Sequence, residues 1–137
     1  MSRKTSRPER SLAADICLWL ALHGYRQVRC VAGLTRARVG QETPETANPA
    51  GFPDWVFVLP KGRSVLRVDG SIIADPPGAI FIEMKRPGKR PTKLQQAWLD
   101  RLRLDGFTAE WFDGFQPDEG CRSFMTWWLQ EVEERKR

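Results

Sequence analysis

A chain of 137 residues and 15.7 kDa has the size of one domain, and 41% hydrophobic with 28% charged residues is a globular balance, not a disordered one. No apolar run reaches the ~18 residues of a membrane span, three scattered cysteines without a CxxC pair argue against a zinc ribbon or a disulfide framework, and a single histidine excludes a histidine-rich metal site. The net charge of +5 suits a polyanionic partner, and the lack of a signal-peptide pattern makes a cytoplasmic protein the expectation.

In chain order, residues 1–7 are basic (Arg3, Lys4, Arg7) and are expected to be disordered. From Pro8 to His23 the spacing predicts a helix. Pro8 suits its first turn, Gly24 its stop, and Leu12, Ile16, Trp19 and Leu20 share one face. Glu9 falls inside that apolar sector, where a carboxylate either serves a site or favours the helix N-terminus. His23, at the helix end, reads as a packing or capping residue. Tyr25–Val31 predicts a strand, and residues 33–53, which include Arg36 and Arg38, a long loop. Trp55–Leu59 predicts a short apolar strand, residues 63–75 a hairpin around Asp69-Gly70, and Ala79–Lys85 a strand with Ile80-Phe81-Ile82 at its centre. Thr92–Asp105 predicts a helix capped by Thr92 and stopped by Gly106. A strand over Phe107–Phe112 and a last helix over 119–135 complete a mixed α/β chain, expected to be one domain over 1–137.

The residues that carry chemistry sit at strand ends. Side chains alternate along a strand, so Glu83 and Lys85 leave the same face of Ile80-Phe81-Ile82-Glu83-Met84-Lys85. Asp54 opens the Trp55–Leu59 strand, and if the two strands pair, Asp54 and Glu83 converge. Two carboxylates with open neighbouring positions suit Mg2+ or Mn2+, with the Met84 carbonyl as a further ligand and Lys85 beside the site to stabilise charge. The bland reading of an isolated ExK is a solvated pair at a strand end. The run Lys85–Lys93 has five basic residues and no acid, and Arg86, Lys89, Arg90 and Lys93 in it are candidate phosphate contacts. Arg36 and Arg38 belong to a further basic cluster with Arg26 and Arg29.

Gly51-Phe52-Pro53-Asp54, about thirty residues before Phe81-Ile82-Glu83-Met84-Lys85, followed by Arg86-Pro87-Gly88 and a helix beginning Leu94-Gln95-Gln96-Ala97-Trp98-Leu99, resembles the VRR-NUC family of the PD-(D/E)xK nuclease superfamily. The similarity runs from Glu9 to Phe112. It implies a restriction-endonuclease-like core, a mixed β-sheet flanked by helices, and Mg2+- or Mn2+-dependent hydrolysis of DNA phosphodiesters with no organic cofactor. Position by position, it implies metal carboxylates at Asp54 and Glu83, the catalytic lysine at Lys85, the helix glutamine at Gln95 and the first-helix acid at Glu9. Two departures stand out. The stretch between Leu59 and Ala79 is longer than a minimal core, implying an inserted hairpin around 61–78. Met84 stands where Val is frequent, with its side chain expected to point away from the site. Small stand-alone relatives are phage- or mobile-element-encoded and linked to branched, junction-like DNA, which would place the protein in a bacterial or phage-infected cell. The alternatives are a non-catalytic nucleic-acid-binding module on the same fold, and an enzyme using His23.

One residue bears on assembly. In the last helix, Cys121, Phe124, Met125, Trp128 and Val132 form an apolar stripe, and Trp127 lies about 120° away from it among polar residues. Either a loop of the same chain covers Trp127, or it contributes to a homodimer that presents two sites to the two strands of one DNA.

Overall fold

The computed structural model describes residues 9–28 and 50–134. Helix α1 (Glu9–Leu22) is followed by β1 (Arg26–Val28), β2 (Trp55–Val58), β3 (Ala79–Met84), α2 (Lys93–Leu104) and β4 (Thr108–Phe112). A single 3-10 turn at Pro117–Glu119 leads to α3 (Phe124–Trp127), which continues as a π-wound turn over Trp128–Glu133. The four strands form one sheet in the order β1-β2-β3-β4. The first two pairings are antiparallel and the last is parallel. A parallel pair needs a crossover, and α2 supplies it between β3 and β4. The result is the expected mixed α/β architecture, a mixed sheet flanked by helices, consistent with a restriction-endonuclease-like core.

Strand β3 divides the molecule. Its Ile80, Ile82 and Met84 are fully buried on one face against Leu12, Ile16 and Leu20 of α1 and against Phe124, Trp128 and Val132. Its Phe81 lies on the other face, with Leu99 and Leu102 of α2 and with Ala109 and Trp111 of β4. Glu83 shares the parity of Phe81 and so belongs to the α2 face, while Met84 turns into the larger core, away from the site as expected.

Local chemistry sets the element ends. Thr92 accepts from the Gln95 N–H at 3.1 Å while the Gln95 carbonyl oxygen accepts from the Thr92 N–H at 2.9 Å, a reciprocal cap on α2. Gly106, at φ 97°, ends that helix. The insertion folds back on itself: Leu66 bridges Ile72, Ile73 donates to the Val65 carbonyl at 2.8 Å, and Val65 and Ile73 are buried in the core. Buried Glu133 pins the insertion to the C-terminal segment, accepting from the Val68 N–H at 2.9 Å and from the Trp128 indole N–H at 2.8 Å.

Two expectations are corrected. The single helix over 119–135 is a 3-10 turn, a break, a short α3 capped by Ser123, and a π-wound end. Trp127 is 8% exposed, with its ring 5.5 Å from Phe112 and 5.6 Å from Phe124, so it is a core residue of this chain and not a dimer contact. The projection at one angle per residue failed because the segment is not wound uniformly, and because Phe112 of β4 meets both Phe124 and Trp127. Residues 1–7, Arg29, Cys30, Arg36 and Arg38, and most of the 33–53 stretch, lie outside the described residues.

Candidate active site

The strand register builds a row of side chains across the α2 face. Trp55 pairs with Ile82 in the antiparallel β2–β3 ladder, so the register carried one residue further sets Asp54 opposite Glu83. In the parallel β3–β4 ladder Glu83 pairs with Trp111. Asp54 is exposed and Glu83 is 4% exposed.

Two of the expected residues, Lys85 and Gln95, converge on Glu83. Lys85 Nζ lies 3.7 Å from Glu83 Oε2, and Gln95 Nε2 donates to the same oxygen at 3.1 Å. Gln95 has both ends of its amide committed, with the carbonyl on the helix cap and the NH2 on the carboxylate. The cap therefore orients the group that orients Glu83. Lys85 is anchored through its backbone, whose N–H donates to the Phe112 carbonyl at 2.9 Å. Glu9 is the first residue of α1, and the position of its side chain lies outside the described residues.

The segment that carries Asp54 is seated on α2. Trp98 donates its indole N–H to the Ala50 carbonyl at 3.1 Å, and the Phe52 ring lies edge-on to both Trp98 and Phe81. Gly51 sits so close to α2 that an added Cβ would fall 2.7 Å from Leu94 Cγ and 3.1 Å from the Leu94 backbone carbon, at a φ of 84°. A side chain there is excluded twice, by space and by backbone conformation. The glycine before Pro53-Asp54 and the tryptophan of the helix are thus two halves of one contact.

Pro53 has its own part. The Leu59 N–H donates to the Gly78 carbonyl at 2.9 Å, whereas the Lys85 N–H points to β4. Main-chain groups alternate along a strand, so the Met84 carbonyl is directed toward β2. The residue opposite it in the extended register is Pro53, which has no N–H to donate. Asp54, Glu83 and this carbonyl make a small set of hard oxygen donors, the kind that suits Mg2+ or Mn2+ with waters completing the shell. No group of three or more His, Cys, Asp or Glu side chains placed to hold a metal occurs among the described residues.

The basic run leaves β3 through a tight turn. Lys89 donates to the Arg86 carbonyl at 2.9 Å, with Pro87 and Gly88 (φ 86°) at its two central positions, as a type II turn requires. Arg86, Lys89, Arg90 and Lys93 are all exposed. Three neighbours of the site were not singled out from the sequence: Trp111, Asp113 and Arg122. Asp113 Oδ2 accepts from the Gly88 N–H at 3.0 Å, and Oδ1 from the Arg122 N–H at 2.7 Å. Only the parallel register places them here, and parallel registers leave no local sequence signal.

The other reactive groups are occupied elsewhere. His23 Nδ1 lies 2.7 Å from the Trp19 carbonyl, and its ring is stacked 4.5 Å from Trp19 and tilted 5.0 Å from Trp128. Burial pushes the Cys17 thiol above its ordinary range. Burial, and then the charges of Glu119 and Asp113, push Cys121 up to about 11, which leaves it a poor nucleophile at neutral pH.

No helix among the described residues is long and apolar enough to cross a membrane. No curated protein and no solved structure is significantly similar to the chain. A VRR-NUC domain matches over residues 6–116, a stretch that takes in α1, Gly51–Asp54, β3, the basic turn, α2 and β4. With Glu83, Lys85 and Gln95 gathered at the end of β3 inside that stretch, the chain belongs to the VRR-NUC domain family, a nuclease-type family.

Proposed function

We propose that the protein is a Mg2+- or Mn2+-dependent endodeoxyribonuclease acting on branched or junction-like DNA. The observation that carries this reading is the convergence of Lys85 and Gln95 on the buried Glu83 carboxylate, in a row with Asp54 and beside an exposed basic turn. A buried carboxylate is costly to keep, and no packing role explains placing it at the mouth of the α2 face.

Asp54, Glu83 and the Met84 carbonyl would hold the ion. When bound, Mg2+ or Mn2+ polarises the phosphate and makes a nearby water more acidic. Lys85, held beside Glu83, stabilises the charge that builds on the phosphate oxygens. Gln95 keeps the Glu83 carboxylate in one orientation. Glu9, the first residue of α1, is the further acid that the family resemblance implies. Arg86, Lys89, Arg90 and Lys93, with Arg36 and Arg38, contact backbone phosphates and position the DNA without reading its sequence. A homodimer would present two such sites to the two strands of one DNA.

The test is cleavage of a panel of labelled linear, nicked and branched DNAs with Mg2+, Mn2+ or EDTA. Metal-dependent cutting, strongest on branched substrates and lost in Asp54→Asn, is the expected result. Cutting that survives EDTA would falsify the metal mechanism. Binding without cutting under every metal would favour a non-catalytic module. Light scattering decides the dimer: a mass of 15.7 kDa at tens of micromolar rejects it.

A further inference from the structure

Trp111 stands beside Glu83 on the opposite flank from Asp54, and strand partners in parallel register carry their side chains on the same face. Two guanidinium groups lie over its indole, Arg90 at 5.8 Å from the ring centroid and Arg122 at 5.1 Å. They come from different parts of the chain. Arg90 follows the turn after β3, while Arg122 precedes α3, beyond residue 116 where the VRR-NUC match ends. One carboxylate ties the two segments together, since Asp113 accepts from the N–H groups of both Gly88 and Arg122.

The two arginines are held differently. Arg122 Nε donates to the Trp111 carbonyl at 2.8 Å, and a terminal nitrogen pairs with Glu110. Glu110 is shared with Arg103 at 3.1 Å, so one acid serves two cations. Asp113 is the other acid nearby, and both its oxygens are engaged by backbone N–H groups. Arg90 is exposed and pairs with no carboxylate among the described residues. Arg90, over the indole, keeps its N–H groups for a phosphate, and Arg122 keeps those of its second terminal nitrogen.

We infer that Trp111, Arg90 and Arg122 form a ledge for backbone phosphate on the β4 side of the catalytic row, holding the DNA strand next to the phosphate that is cut. The inference rests on the DNA-cleaving reading above and adds to it a contact from the C-terminal segment. The ledge recognises phosphate and is indifferent to base sequence.

The experiment is DNA binding in EDTA, where no cleavage occurs, with a fluorescein-labelled blunt duplex followed by anisotropy across a salt series. Arg90→Gln and Arg122→Gln should each weaken binding by about tenfold and lower the slope of log K against log salt by about 0.9, the value of one phosphate contact. Arg122→Lys keeps the charge and should keep the slope. Unchanged affinity and slope in Arg122→Gln overturn the ledge, and so does a Lys variant that loses the slope as Gln does. A measurement on the wild-type protein is independent of how any variant folds: the Nε–H NMR signals of Arg90 and Arg122 should shift when the duplex is added, and their failure to move overturns the ledge. The two readings fail separately. A wild-type protein that cuts no DNA of the linear, nicked and branched panel with either metal removes the nuclease reading, whereas one that binds and cuts while Arg122 stays silent removes only the ledge.

Discussion

Gln95 does two jobs with one amide, and the two can be separated. Its carbonyl caps α2 and its NH2 orients Glu83. Gln95→Ala loses both and should destabilise the fold by about 1 kcal/mol, the usual value of a helix cap. Gln95→Glu keeps the capping box, in which Glu serves as well as Gln, but it sets a second carboxylate against Glu83. That repulsion should lower its melting temperature, and cleavage should fall at least as far as in the alanine variant. Thr92→Ala instead removes the cap hydroxyl and leaves the Gln95 amide on Glu83, so it should lose stability and keep cleavage; loss of cleavage there would refute the division of roles. Glu83 makes the complementary case. It is a buried acid beside Lys85, and an ion pair in such a place costs about as much to desolvate as it returns. Glu83→Gln keeps a hydrogen-bonding partner for Gln95 and removes the buried charge. Because Lys85 is left beside a neutral amide, it should melt somewhat lower than wild type by scanning calorimetry, yet stay folded while cutting falls to background. An active Glu83→Gln enzyme would remove Glu83 from the site.

At the scale of elements, α2 and the Asp54 segment behave as one part. Gly51 approaches Leu94, Trp98 holds Ala50, and Phe52 packs on Trp98 and Phe81. Gly51→Ala puts a methyl group 2.7 Å from Leu94 Cγ at a positive φ. Asp54 is three residues away on the same short tether, so the variant should lose cleavage and metal affinity together while retaining the sheet, by circular dichroism. A fully active Gly51→Ala protein would show that the tether does not place Asp54. This helix was legible from the sequence because its ends are local events: Thr92 and Gln95 cap it, and Gly106 stops it. The last helix was not legible, because its winding changes at Trp128 and Trp127 is buried by Phe112, a residue of β4 that no local pattern connects to it. The insertion was legible as a turn at Asp69-Gly70, but its attachment through Glu133 was not, since that carboxylate lies some sixty residues on in the chain.

At the scale of the whole molecule, the site is a consequence of sheet order. Asp54, Glu83 and Trp111 sit on three adjacent strands and fall in one row only because β3 pairs antiparallel on one side and parallel on the other. The first pairing entered the sequence reading only as the condition under which the strand-end acids converge, and the second has no hairpin to announce it. The same placement links an ion to global stability. Asp54 and Glu83 lie in segments far apart in the chain, so the proposed site is assembled only in the folded protein. A ligand that binds only the folded state at a hundred times its Kd adds about 2.7 kcal/mol, and for a domain of this size that should raise the melting temperature by roughly 10 °C. Mn2+ should produce such a rise in the wild-type protein and in Lys85→Met, whose side chain is proposed to act on the phosphate and not on the ion. The rise should be absent in Asp54→Asn and small in Glu83→Gln. If Mn2+ stabilises all four proteins alike, the ion is bound elsewhere, and the row across the sheet is not the metal site.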